Sequence, residues 1–174
     1  QGVSFDKQID MIAGTSTGAI TAAAIACGYP PEKVELLYRE HVEAIFAPRN
    51  SFMPTKFMQS CVNSIYKSEM LKEILNEYFG DIRLGDVKIP LLLPVTDIGR
   101  GEVHVFKSNY TTDPNPDLDV SVSAAVLASC ASPIFFSPMK VGEALIADGG
   151  LWAYNPALLA VLEASRQLKA DMAD

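Results

Sequence analysis

The sequence predicts a three-layer α/β domain, in which helices pack on both faces of a sheet. Short apolar runs with the character of strands alternate along the chain with longer helical patterns. Glycines and prolines stand where these segments should begin and end. The chain has 174 residues, which is enough for one such domain with a hydrophobic core.

The first half of the chain predicts one strand followed by helices. Small residues after the strand favour a helix that Gly28 ends, and paired prolines favour the start of the next one. Ser68 is the expected N-cap of a later helix, and Gly80 follows its end. The predicted segments are a strand at Asp10–Ala13 and helices at Thr17–Cys27, from Pro30 to about Phe46, and at Ser68–Phe79.

The second half predicts a hairpin, a helix, a final strand and a final helix. IGRG is the hairpin turn, and the prolines of the strand before it predict that one end of that strand lies at an edge or bulge. Pro133 ends the middle helix. The predicted segments are strands at Ile89–Asp97 and Glu102–Ser108, a helix at Val120–Ser132, a strand within Glu143–Gly150 that ends at Asp148 and two glycines, and a helix from Pro156 to about Lys169.

Charge and cysteine content exclude several classes of function. The net charge is -7 at pH 7 and no basic run is present, which argues against nucleic-acid binding and gives no attraction to anionic membranes. Cys27, Cys61 and Cys130 are far apart and match no metal-binding spacing. Their odd number is typical of a reducing compartment, and no run is apolar enough to span a bilayer, so we expect a cytoplasmic location.

The stretch GTSTG at Gly14–Gly18 has the G-x-S-x-G pattern of a nucleophile elbow. In such a turn a serine joins a strand to a helix, and the small flanking residues let the two pass closely. Ser16 would be the nucleophile, and the backbone N–H of Thr17 at the helix start would be the first oxyanion donor. The alternative is a structural turn in which Ser16 caps the helix.

Several residues are candidates for the base that would activate Ser16. His41 lies on the apolar face of a predicted helix, where a core histidine is expected. His104 lies within an alternating strand, and Ser16, Asp97 and His104 follow the chain order of an α/β-hydrolase triad, although catalytic histidines are mostly on loops. Asp148 ends a predicted strand and precedes two glycines that let a ligand come close. A simple turn is the alternative at Asp148.

These motifs resemble those of the patatin-like phospholipases. That family pairs the serine of G-x-S-x-G with the aspartate of D-G-[GA], which match GTSTG at Gly14–Gly18 and DGG at Asp148–Gly150. LKEILNEYFGDIRLGDV resembles the helix and turn before the family's middle strand, and LASCASPIFFSP resembles the segment before its aspartate strand. DGGLWAYNP is similar to the D-G-G…N-P ending, with Tyr154 where a second Asn is common. The resemblance covers nearly the whole chain.

The resemblance implies a fold, a site and an activity. The fold would be a three-layer α/β/α domain with a mostly parallel central sheet. The site would be a Ser–Asp dyad of Ser16 and Asp148, in which Gly149 and Gly150 complete the second motif. The activity would be hydrolysis of acyl esters in phospholipids, lysophospholipids or neutral lipids through an acyl-serine, with no metal and no cofactor.

One feature of the family has no counterpart in this sequence. The Gly-rich oxyanion loop, G-G-G-x-[RK]-G, follows an earlier strand in the family, and nothing in residues 1–10 matches it. We therefore expect residues 1–174 to form a single domain that is truncated at both ends and lacks half of its oxyanion hole. Such a chain would be a weak or inactive hydrolase.

Three functions remain open at this point. The first is a patatin-like lipid acyl hydrolase, the second a catalytically impaired lipid-binding or regulatory module, and the third an esterase that depends on His104. The expected partners are phospholipids or other acyl-ester lipids and, transiently, a membrane interface. An apolar cluster could be an acyl-binding or interfacial flap, or could pack in the core under a long loop. Its residues are Phe52, Met53, Phe57 and Met58.

Overall fold

The computed structural model describes residues 9–45, 68–133 and 136–169. Within these ranges one five-stranded sheet packs against helices, as expected for an α/β domain. The strands are β1 Ile12–Ala13, β2 Leu91–Asp97, β3 Glu102–Lys107, β4 Met139–Val141 and β5 Ala144–Asp148. The helices are α1 Thr17–Ala26, α2 Pro31–Ile45, α3 Ser68–Phe79, α4 Val122–Ser129 and α5 Ala157–Glu163.

Strand β2 is the centre of the sheet. The order is β1-β2-β5-β4, in which β1 and β5 pair with successive parts of the same side of β2. Strand β3 pairs with the opposite side of β2. Strands β1 and β2 are parallel, whereas β2 pairs antiparallel with both β3 and β5, and β4 pairs antiparallel with β5. The sheet of the described residues is therefore mixed, not mostly parallel. Short turns join β2 to β3 and β4 to β5, and a short turn can join only antiparallel neighbours.

Pro94 lies in the middle of this central strand, not at an edge. Leu91 and Leu92 pair with β1, and the segment from Val95 pairs with β5, so Pro94 falls where the neighbour changes. At that point the ladder requires no N–H from the strand, which is the group that proline lacks. The carbonyl of Pro94 accepts a hydrogen bond from Ser129 Oγ at 2.9 Å.

Helices cover both faces of the sheet. Leu91, Leu93 and Val95 share one core cluster with residues of α1, α3 and α4. Leu92 is fully buried on the opposite face, because side chains alternate along a strand. Its cross-strand partner Lys107 binds Glu163 of α5 at 2.6 Å. The three-layer arrangement follows from these contacts.

The sequence predicted most of these elements within a few residues of their bounds. The middle helix is shorter than expected, because Ser121 caps it by accepting from the N–H of Ala124 and the helix already ends at Ser129. Strand β4 was not predicted, since three residues are too few to carry a period. After Glu163 the final helix continues as a π-helical turn at Ala164–Leu168.

Some expectations fall outside the described residues. The apolar cluster at Phe52, Met53, Phe57 and Met58 is among them. Within the described ranges, the structure has no helix with the length and apolar character needed to cross a bilayer.

Candidate active site

Ser16 occupies the sharp turn between β1 and α1. Its backbone angles are φ 57° and ψ -129°, a conformation that costs an L residue about 1–3 kcal/mol. Strand and helix pass so closely that a Cβ at Gly14 would lie 2.4 Å from the carbonyl oxygen of Gly18. Helix α1 begins at Thr17, directly after the serine, which is the strand–turn–helix context of a nucleophile elbow.

The Ser16 hydroxyl donates a hydrogen bond to Oδ2 of Asp148 at 2.8 Å. Ser16 is half-buried, whereas Asp148 is only 4% exposed. Although Ser16 precedes α1, its side chain makes no capping bond to that helix in the described structure. The alternative that Ser16 serves as a helix cap is therefore not what the geometry favours.

Three hydrogen bonds, besides the one from Ser16, hold Asp148 in place. Its Oδ1 accepts from the N–H of Gly150 at 2.6 Å, and its own N–H donates to the carbonyl of Ala131 at 2.9 Å. Its carbonyl accepts from Thr96 Oγ1 at 2.9 Å. Because Oδ1 is committed to Gly150, the lone pairs of Oδ2 are left for Ser16. The carboxylate is thus oriented before any substrate arrives.

The four motif glycines have different roles. A Cβ at Gly149 would lie 2.1 Å from the carbonyl oxygen of Pro94, so this position requires glycine, as does Gly14. A Cβ at Gly150 would approach Asp148 Oδ1 to 3.0 Å. At Gly18 a Cβ would meet no atom of the described residues within 4 Å. The sequence predicted that both positions flanking the motif require a small residue. The structure agrees at Gly14 and disagrees at Gly18.

Thr17 is the first residue of α1. Its N–H therefore has no acceptor within the helix and lies at the positive end of the helix dipole. These properties suit the oxyanion donor that the sequence predicted, and that role stays a prediction.

The residues of the alternative triad lie elsewhere and have other partners. His104 Nε2 contacts Asp117 Oδ2 at 2.8 Å. Asp97 Oδ1 accepts from the N–H groups of Gly99 and Arg100 and so stabilises the hairpin turn. His104 and Asp148 both face Val95 from opposite sides, which separates their backbones by two strand spacings, about 10 Å.

Sequence reasoning missed two residues that contact Ser16. The N–H of Ser16 donates to Ser129 Oγ at 3.1 Å, and its carbonyl accepts from Cys130 Sγ at 3.0 Å. Burial, and next the nearby charge of Asp148, raise the pKa of the Cys130 thiol, which stays protonated and able to donate. The only sequence signal was a run of small residues at the end of α4, which is also what plain close packing produces.

A serine in a strained elbow that is bonded to an oriented carboxylate is the arrangement that a serine hydrolase needs. Comparison with known proteins shows the family to which the chain belongs. The family model of the patatin-like phospholipases matches residues 3–161. The chain belongs to the patatin-like phospholipase family.

Individual relatives include bacterial and plant proteins. The chain is 31% identical to a cUMP-AMP-activated phospholipase of Escherichia coli, a match that covers 99% of this chain and 53% of that protein. It is 28% identical to Patatin-like protein 1 of Arabidopsis thaliana, over 91% of this chain and 42% of that protein. The chain thus spans about half the length of these relatives.

A solved structure supports the fold. VipD from Legionella pneumophila matches with a TM-score of 0.54 and 16% sequence identity, over 83% of this chain and 41% of that one. At this identity the likeness concerns the fold alone. The α/β class and the patatin fold that the sequence predicted are confirmed.

Proposed function

We propose that this domain hydrolyses carboxylic esters of lipids, with Ser16 as nucleophile and Asp148 as the base. The observation that carries the proposal is the 2.8 Å hydrogen bond from the Ser16 hydroxyl to the buried carboxylate of Asp148. Membership of the patatin-like phospholipase family supports the reaction class and the substrate class.

In the first step, Asp148 Oδ2 accepts the proton of the Ser16 hydroxyl while Oγ bonds to the ester carbonyl carbon. The carbonyl oxygen becomes negatively charged, and the N–H of Thr17 donates to it. When the tetrahedral intermediate collapses, the ester C–O bond breaks. The leaving alkoxide takes the proton from Asp148 and departs as an alcohol, which leaves an acyl-serine.

In the second step, water attacks the acyl carbon and Asp148 accepts a proton from that water. Collapse breaks the bond to Ser16 Oγ, which takes the proton back from Asp148. The products are a free carboxylic acid and the starting enzyme. The same carboxylate serves both steps because the Gly150 N–H fixes only its other oxygen.

A cavity near the backbone of Asp148 has a lining that suits a lipid, although its lining residues include neither Ser16 nor Asp148. It has a volume of about 310 Å³, and its lining includes Leu127 and Ala131 as well as the exposed side chains of Lys72 and Lys140. The carbonyl of Ala131 accepts the backbone N–H of Asp148, so one lining residue is bonded to the strand end that carries the base. Apolar walls suit an acyl chain, and the two ammonium groups suit a phosphate, although Glu69 adds one carboxylate to the same lining.

The reaction class is tested by product analysis. The purified protein is incubated with phosphatidylcholine vesicles in the presence of a metal chelator. The phosphatidylcholine carries different acyl chains at its two positions. Mass spectrometry of the products is expected to find free fatty acid and lysophospholipid. Release of the phosphorylated head group would contradict the proposal. Vesicle binding with no product would favour the lipid-binding module instead.

An uncharged apolar surface next to the dyad supports contact with a lipid interface. Residues 149–162 contain no charged side chain, and the turn that begins directly after Asp148 exposes Leu151. Helix α5 exposes an apolar side chain and buries a charged one. Leu158 is 69% exposed, whereas Glu163 at the end of the same helix is 7% exposed and bound to Lys107. We infer that this surface rests on the lipid from which the substrate is drawn.

Leu158→Asp tests this surface. An aspartate in the first turn of α5 suits the helix dipole, so folding should be unaffected. Loss of one leucine side chain that the lipid would bury is expected to weaken partition onto phosphatidylcholine vesicles by about tenfold or more in a sedimentation assay. Met70→Asp is the matched control, because Met70 is 39% exposed in the first turn of α3. Equal partition of both variants, or a change only in oligomeric state, would refute the inference.

A further inference from the structure

The backbone of Ser16 is held by hydrogen bonds from residues outside its own turn. Both of its backbone polar groups bond to consecutive residues at the end of α4: the N–H to the hydroxyl of Ser129, and the carbonyl to the thiol of Cys130. Ser129 is fully buried and Cys130 is 3% exposed. A residue at φ 57° keeps such a conformation only when its surroundings enforce it.

Ser129 also reaches the half of the site that carries the base. Its hydroxyl donates to the carbonyl of Pro94 at 2.9 Å. That same carbonyl oxygen is the atom that a Cβ at Gly149 would approach to 2.1 Å, one residue after Asp148. One buried hydroxyl therefore links the serine elbow to the strand against which the aspartate turn packs.

We propose that Ser129 is a positioning residue for the reaction, with Cys130 as its partner. Together they hold the strained Ser16 backbone so that its Oγ stays at 2.8 Å from Asp148. The proposal rests on the proposed function for its kinetic consequence, but the grip on the Ser16 backbone is independent of any activity.

Ser129→Ala removes the acceptor of the Ser16 N–H, and a displacement of the nucleophile by about 1 Å costs up to about 10²-fold in rate. We expect kcat, per folded molecule, to fall by about 10- to 100-fold with KM nearly unchanged. Ser123→Ala is the matched control, because Ser123 is a buried serine of the same helix whose hydroxyl pairs with Ser121. It should retain kcat.

Substitution at Cys130 provides a rescue. Cys130→Ala is expected to lower kcat in the same way, and Cys130→Ser, which keeps a donor for the Ser16 carbonyl, should restore it. A purely structural role would give equal effects for the two Cys130 variants, or equal effects for Ser129→Ala and Ser123→Ala. Either result would overturn the proposal.

Amide hydrogen exchange, followed by NMR, separates this proposal from the proposed function. Ser129→Ala should speed exchange of the Ser16 N–H at least tenfold, and Ser123→Ala should leave it unchanged. Unchanged exchange in Ser129→Ala would refute the grip. If the unmodified protein hydrolyses no ester, the proposed function fails while the exchange rates still decide the role of Ser129.

Discussion

Asp148→Asn is expected to lower kcat by about 10²–10⁴-fold, the contribution of a general base. Asparagine has the shape of aspartate, and its amide oxygen can still accept from the Gly150 N–H. Its nitrogen then faces Ser16 and cannot take the hydroxyl proton. The loss should therefore be chemical, with an unchanged circular dichroism spectrum and midpoint of urea unfolding. Steady-state kinetics on a soluble ester measures it.

His104→Ala is the control that distinguishes the dyad from the alternative triad. His104 contacts Asp117, and no described contact joins it to Ser16. We expect kcat within about twofold of the unmodified protein, since the two sites are separate. If His104→Ala abolished hydrolysis while Asp148→Asn preserved it, the base would be the histidine and the dyad would be wrong.

Gly149→Ala is expected to destabilise the protein by about 3 kcal/mol, the upper range for overpacking a close-packed site. The new Cβ would lie 2.1 Å from the Pro94 carbonyl oxygen, a backbone atom of the central strand that cannot move aside. Gly14→Ala should be similarly costly, because its Cβ would lie 2.4 Å from the Gly18 carbonyl. Urea denaturation followed by circular dichroism gives the free energies of unfolding.

Gly18→Ala is the matched control from the same motif and has the opposite expected sign. A Cβ at Gly18 meets no described atom within 4 Å, and alanine favours a helix over glycine by about 0.5–1 kcal/mol. The substitution should therefore leave stability unchanged or raise it. A loss at Gly18 equal to the loss at Gly149 would mean that the motif glycines serve flexibility rather than close packing.

The local parts of the site could be predicted from the sequence. GTSTG between an apolar run and an alanine-rich run is a short-range pattern, and the elbow at Ser16 follows it. Asp148 is a candidate from the sequence because it ends a strand before two glycines, and its role as the base is what the resemblance to the patatin-like phospholipases implies. The pair lies 132 residues apart in sequence, and the structure brings them to 2.8 Å. Their catalytic roles remain predictions.

The rest depended on tertiary contacts that carry no local signal. Proline is usually absent from a central strand, but Pro94 is accommodated in β2. Strand β1 pairs with the residues before it and β5 with the residues after it. The parallel sheet was inferred from family likeness, but the two hairpins impose antiparallel pairs. Ser129 and Cys130 contact Ser16 across more than 110 residues of sequence. Small residues at the end of a helix carry no sequence pattern that would predict such contacts.

The most direct test of the account is covalent capture of the nucleophile. The purified protein, Asp148→Asn and His104→Ala are each treated with a fluorophosphonate, and the modified residue is located by peptide mass spectrometry. We expect one adduct, on Ser16, in the unmodified protein and in His104→Ala, and very slow labelling of Asp148→Asn. Labelling of Ser16 that is lost in His104→Ala but unchanged in Asp148→Asn would contradict the Ser16–Asp148 dyad.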